Sequence, residues 1–270
     1  KGYFTIDTAT DADGGDTDPD PDTDDETITG TFKLFANAKG KIDLTDTPYK
    51  DTTNIIKTID ATNATKQSVT LTADKTVETV NLADKNKKKD LFVYGGGTVS
   101  ISGYEAGIDK LNIADVGAVS LFTVGDNGIS INAGGTNTIS LNGALKDQEI
   151  LIRDGGKSNS YSKFVFHADG VLYNKAKKPT EANIYSNVST TPVQVADSIK
   201  KVFLQAGVTG VDIQSGNNKT ILDASEANGV TLTGGAKNNK FIGSTGADKF
   251  VYTGGKDNIQ DFDTADEISF

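Results

Sequence analysis

The sequence predicts an all-β protein: parallel β-roll or β-solenoid segments with adjoining antiparallel strands, and at most one short helix. Three observations carry that expectation. Short segments place apolar residues two apart, as half-buried strands do. Gly- and Asn-rich turns separate those segments. Toward the C-terminal end the pattern settles into a nine-residue period.

The elements follow in order along the 270 residues. Gly2 to Asp7 alternates weakly and reads as a strand, either the tail of a preceding domain or one that pairs elsewhere. Asp11 to Glu26 is low-complexity and acidic; it has too little apolar surface to fold alone, and its like charges extend it. Pro19 and Pro21 favour a polyproline-like path. Its Asp spacing invites an EF-hand reading, but no starting Asp brings a Gly to loop position 6 and a Glu to position 12. A solvated spacer is the better reading.

From Thr27 onward come alternating segments such as Ser68–Thr72, Thr98–Ser102, Ile129–Asn132, Thr138–Asn142, Glu149–Arg153 and Lys163–His167. Turns at Gly95 to Gly97, Gly134–Gly135 and Gly155–Gly156 punctuate them. After Pro192, residues Val195, Ala196, Ile199, Val202 and Phe203 fit one face of a short helix, or alternatively two short strands. This reading divides the chain into a short strand at 1–10, a linker at 11–26, a β-rich module at 27–190 and a second module at 191–270, with a roll at 232–270.

Two regions repeat one another. Ile59 to Ala64, Val69 to Thr72, Asp90 to Tyr94 and Gly107 to Leu111 recur in the same order as Leu222 to Ala227, Val230 to Thr233, Asp248 to Tyr252 and Asp266 to Ile268. A module repeated in tandem is a building block rather than a single active-site scaffold. The chain begins at Lys1 rather than Met and the second copy stops at Phe270, so the reading expects a mature product or an excerpt of something longer.

The nine-residue period is strict. Apolar residues stand at Leu232, Phe241, Phe250, Ile259 and Ile268, and two residues before the last four stand Asn239, Asp248, Asp257 and Asp266. Gly234–Gly235, Gly243, Gly246 and Gly254–Gly255 fill the turns. Each nonamer reads as a turn and a short strand, with the apolar residue inward; two nonamers complete a coil, so Asp248 stacks with Asp266 and Asn239 with Asp257. The Asp residues offer hard oxygen ligands suited to calcium.

This register resembles the repeat G-G-x-G-x-D-x-U-x of the RTX (haemolysin-type calcium-binding repeat) extracellular bacterial proteins. The resemblance covers about 40 residues well and the preceding module loosely, as a degenerate repeat. It implies calcium between stacked turns, held by Asn239, Asp248, Asp257 and Asp266 with the backbone carbonyls of Gly246 and Gly255. It also implies folding on calcium after type I secretion, and an extracellular or cell-surface location. Three departures bear on it: Lys237 and Ser244 replace usual glycines, and Asn239 replaces a usual Asp. In the first module Asp90, Phe92 and Ile101 hold the register, but Gly103 stands where the second copy has Asp261.

Charge and chemistry narrow the function. The net charge is −10, yet residues 1–26 hold ten acids against Lys1 alone, so the remainder is nearly neutral. Nucleic acid, whose phosphates need a basic surface, is an unexpected partner. The absence of Cys excludes disulfides and thiolate metal sites. No apolar stretch is long enough to span a bilayer, so membrane insertion is not expected. His167 is the single His and cannot make a zinc-protease motif; Arg153 is the single Arg; no nucleophile elbow or phosphate loop is present. Nothing selects two carboxylates as a glycosidase pair.

The sequence thus points to a non-catalytic extracellular structural or adhesive protein: an S-layer-like, fibre or matrix component. Its calcium-stiffened modules would assemble into an oligomer or polymer through β-edges, with possible cell-surface or polysaccharide contact. The alternative is the calcium-binding secretion region of a larger toxin or enzyme.

Overall fold

The structure is a computed structural model that describes residues 2–6, 28–45, 54–155, 160–167, 171–174, 180–185 and 192–270. The acidic stretch at 11–26 lies outside them. The chain coils by alternating between two sheets. In the first half, β2 (Ile28–Leu34), β4 (Asn54–Asp60), β6 (Thr79–Asn81) and β8 (Thr98–Ser102) lie parallel in one sheet. Between them the chain visits β3 (Gly40–Asp43), β5 (Val69–Thr72), β7 (Leu91–Val93) and β9 (Lys110–Asn112), parallel in a second sheet. Each of these strands points at least one apolar residue inward, and these stack on their equivalents in the next coil. Ile42, Leu71, Phe92, Leu111 and Ile152 form one such column. Ile59, Val80, Ile101 and Leu141 form the facing one. All are buried.

Antiparallel strands interrupt the coil, as expected from the sequence. β10 (Leu121–Gly125), β11 (Gly128–Asn132) and β12 (Thr138–Asn142) make a meander that rejoins the first sheet beside β8. β13 (Glu149–Arg153) continues the second sheet beside β9, and β14 (Ser162–Phe166), β15 (Val171–Asn174) and β16 (Glu181–Ile184) follow in alternating directions. Coiling then resumes. β18 (Lys201–Leu204), β20 (Ile221–Asp223), β22 (Lys240–Ile242) and β24 (Asn258–Gln260) extend the second sheet from β16. β17 (Val193–Gln194), β19 (Asp212–Gln214), β21 (Thr231–Thr233), β23 (Lys249–Val251) and β25 (Glu267–Ser269) form a third sheet. The second sheet therefore runs unbroken through 12 strands and is shared by both halves. β1 (Gly2–Ile6) pairs antiparallel with β2 at the outer edge of the first sheet.

The two halves use opposite faces of the shared sheet. Ile150, Ile152, Phe164, Phe166 and Leu172 occupy one face and belong to the core of the first half. Leu172 is paired with Asn183, so Ala182 and Ile184 fall on the other face. Ala182 leads in register to Val202, Leu222, Phe241 and Ile259, the core column of the second half. Around β14 and β15 consecutive residues are buried, Phe164 to Phe166 and Val171–Leu172, because both faces are covered there. The cause is parity. Three antiparallel steps from β13 to β16 reverse the strand direction. A coil of unchanged hand with reversed strands must close on the other side of the sheet, and parallel crossovers are overwhelmingly right-handed.

Of the two readings of the segment after Pro192, the two short strands are the ones that form, and no helix occurs among the described residues. Val195, Ile199 and Val202 are buried, but they serve β17, a turn closed by the Ile199 N–H to the Ala196 carbonyl, and β18. A coil that turns inward between two short strands reproduces a three-to-four spacing of apolar residues without helical backbone, which is why the pattern was ambiguous.

Candidate functional site

In the last coils the stacking pairs expected from the nine-residue period are present. Asp257 lies one coil beyond Asn239, and its Oδ1 accepts the Asn239 backbone N–H at 2.7 Å. Asp266 does the same for Asp248 at 2.9 Å. The pattern continues inward: Asp248 Oδ1 accepts from Val230 N–H, and Asn239 Oδ1 from Thr220 N–H. Each residue two before an inward apolar position thus caps a backbone N–H of the preceding coil, 18 or 19 residues earlier. These N–H groups sit at the corner where one strand begins and the ladder has not yet supplied an acceptor. The side-chain oxygen closes that account.

Asn239 is 3% exposed, and its amide nitrogen donates to the carbonyls of Gly235 (3.1 Å) and Lys237 (2.7 Å) and to Asp257 Oδ1 (3.1 Å). Three oxygens converge on this nitrogen. A hard cation would seek the same convergence, so the amide fills the place with hydrogen bonds instead of charge. At the neighbouring corner Ser244 performs the equivalent task. Its hydroxyl donates to Asp248 Oδ1 at 2.6 Å and accepts from the Gly229 and Gly246 N–H groups, while its own N–H donates to Asp248 Oδ2. Two of the three departures from the repeat therefore have a chemical role: each supplies donors to oxygens that the repeat's usual residue leaves bare.

The outer coil differs. Asp257 Oδ2 is buried and has no hydrogen-bond partner. It faces the Cα of Gly234, where an added Cβ would lie 2.9 Å from it. Asp266, half-buried, also accepts the Asp263 N–H at 2.8 Å through Oδ2. The Gly255 carbonyl accepts the Tyr252 hydroxyl at 2.8 Å. Gly255 has φ near +86°, and a Cβ there would meet the Lys237 carbonyl at 2.6 Å, so the coil spacing itself requires glycine. At Gly246 a Cβ would lie 2.1 Å from Asn228 Oδ1. Among the described residues no three His, Asp or Glu side chains converge on one point.

The first half carries the same device in a buried form. Asp90 accepts from Val69 N–H, as Asp248 does from Val230 N–H, so the two repeat copies match bond for bond. Tyr94 and Tyr252 likewise donate to Gly97 and Gly255 carbonyls. One coil on, Asp109 accepts from Asp90 and Glu105 N–H groups. Burial pushes the Asp109 carboxyl up to about 7, against the pull of those two donors, with Asp90 and Glu105 adding repulsion. Burial raises Asp90 as well. Asp109 was not singled out from the sequence, although it stands two residues before Leu111 as Asp90 does before Phe92. That offset was the available signal.

His167, the single His, is paired through Nδ1 with Asp147 Oδ1 at 2.7 Å at the solvent-facing end of β14. Arg153, the single Arg, lies on the outer face of β13. Among the described residues no helix is long and apolar enough to cross a membrane, which says nothing of β-barrels. No protein-family model, no curated protein and no solved structure matches the chain.

Proposed function

We propose that this chain is a non-catalytic structural or adhesive component of the extracellular or cell-surface kind, built from RTX-type coils and stiffened by calcium at its outer coils. The observation that carries the structural part is the unbroken 12-stranded sheet, which is shared by the two coiled halves, with the same hydrogen-bonded corner repeated along them.

For calcium, the supporting observation is the unpartnered Asp257 Oδ2. Asp257 and Asp266 would hold the ion at their respective corners, aided by the Gly255 and Gly246 carbonyls. Asn239 and Asp248, already engaged, would contribute only their remaining lone pairs. The ion would neutralise carboxylates stacked on neighbouring oxygens. Affinity in the range of extracellular modules, about 10⁻⁴ to 10⁻³ M, suits so sparse a ligand set. Such occupancy fits a calcium-rich exterior.

Assembly is favoured by the outer coil. β24 and β25 are edge strands, and Phe262, Ile268 and Phe270 are exposed beside them. Circular dichroism and negative-stain microscopy, each with calcium and with excess chelator, test the proposal. The expected result is ordered multimers that grow with calcium and concentration. Dispersed monomers under every condition, with unchanged β signal, would remove the support for both assembly and calcium.

A further inference from the structure

β1 is joined to its partner in an unusual way. Among the described residues it bonds only to β2, through five register pairs from Gly2 with Leu34 to Ile6 with Gly30. Such an antiparallel pair needs a loop of about two to five residues. Here positions 7–27 intervene, a stretch of 21 residues with ten acids and no Lys or Arg. The docking edge is also one that must be covered. Phe32 and Leu34 of β2 are buried, Gly2 lies so close over the Phe32 ring that a Cβ would sit 2.6 Å from it, Tyr3 packs on Phe35, and Thr5 donates to the Thr31 carbonyl.

We propose that β1 is an exchangeable strand, which docks on the β2 edge of a second copy of this chain as readily as on its own. The swapped pair makes the same ladder and the same contacts as the closed one, so exchange needs no new interface. What decides between them is effective concentration. A short flexible tether holds a strand at roughly millimolar local concentration, and that value falls with about the −3/2 power of tether length. Copies concentrated in an assembly therefore compete for the β2 edge. This deepens the structural reading above and rests on it for the crowding of copies.

The absence of Cys makes the test clean. Thr5 and Thr31 are register partners, and antiparallel partners about 4.5–5.5 Å apart fall within disulfide reach. Chains carrying Thr5→Cys and chains carrying Thr31→Cys are mixed, incubated over a concentration series, oxidised and mapped by mass spectrometry. The expected product is an interchain disulfide joining positions 5 and 31. It should rise with concentration and exceed the product of Thr5→Cys with Asn142→Cys at least tenfold. Deleting 9–24, which leaves a five-residue loop, should bring it to that background. The doubly substituted chain should lock as a monomer, showing that the register is right. Interchain product no higher than the control, or unaffected by the deletion, overturns the proposal. Multimers seen by microscopy without this disulfide would leave the structural reading standing and remove only the exchange; the disulfide without multimers would do the reverse.

Discussion

Restoring the repeat's usual residue, by Asn239→Asp, is expected to destabilise the last coils in the absence of calcium. The amide nitrogen donates to two backbone carbonyls and to Asp257 Oδ1. A carboxylate cannot donate to any of them. The amide's two hydrogens are shared among these three acceptors, so at about 1 kcal/mol net per hydrogen bond the loss is about 2 kcal/mol, and the new charge beside Asp257 adds to it. The Thr220 N–H keeps its acceptor, since Oδ1 is retained. The assay is urea unfolding in chelator and in calcium, followed by the signal of the second half. The variant should lose about 2 kcal/mol or more in chelator. Calcium should restore most of it, because two carboxylates and two carbonyls then converge on an open position. Saturation at 100 times the dissociation constant would return about 2.7 kcal/mol. A variant as stable as the parent in chelator, or one that calcium stabilises no more than the parent, would refute the idea that an amide replaces a cation here.

Other outcomes follow from the same structure. Asp109 is raised to about 7 by burial, so its protonated form favours the fold. That stability is full below the ordinary carboxylate value near 3.8 and is lost as pH rises through about 7. The stability of the first half to chemical unfolding should fall from pH 5 to 8 by at most about 3 kcal/mol, the share of the window between pH 5 and about 7. Asp109→Asn should flatten the profile, at the cost of the Glu105 N–H bond at every pH; an identical slope in the variant would contradict the assignment. Charge scanning reads the change of face. Val171→Lys and Leu172→Lys should each destabilise by several kcal/mol, since both are buried, whereas of neighbours Ile150 and Leu151 only Ile150→Lys should. Tolerance of either substitution at 171 or 172 would mean that one face of β15 is open. Gly235→Ala should cost more than an ordinary surface change, because the new Cβ would lie 2.2 Å from the Gly216 carbonyl; a melting temperature equal to the parent's would show that the coils can separate there.

The strands were largely legible because alternation and turns are local. Thr98–Ser102, Thr138–Asn142 and Glu149–Arg153 form strands with the bounds their patterns suggest. The pairing of Asn239 with Asp257 and of Asp248 with Asp266 followed from the nine-residue period alone. The change of face did not, because it depends on how many antiparallel steps separate the halves, a count that no local pattern carries. The repeat shows the same limit. Val69 to Thr72 and Val230 to Thr233 are equivalent in sequence, yet the first lies in the shared sheet and the second in the third sheet. At the corner, Asn239 and Ser244 stand out as departures, but their meaning depends on geometry: only the folded coil brings their donors to the oxygens around them. After Pro192 the sequence left a helix and two short strands open, because burial in a coil imitates the helical period; the strands form.

The central proposal, calcium held at the outer corners of a structural coil, is tested most directly by amide hydrogen exchange of the natural chain with and without millimolar calcium. Calcium should slow exchange in β24 and β25, whose N–H groups lie beside Asp257 and Asp266, and leave the strands of the first half unchanged. Exchange that is the same everywhere with and without calcium, or slowed only around the acidic stretch at 7–26, would contradict it.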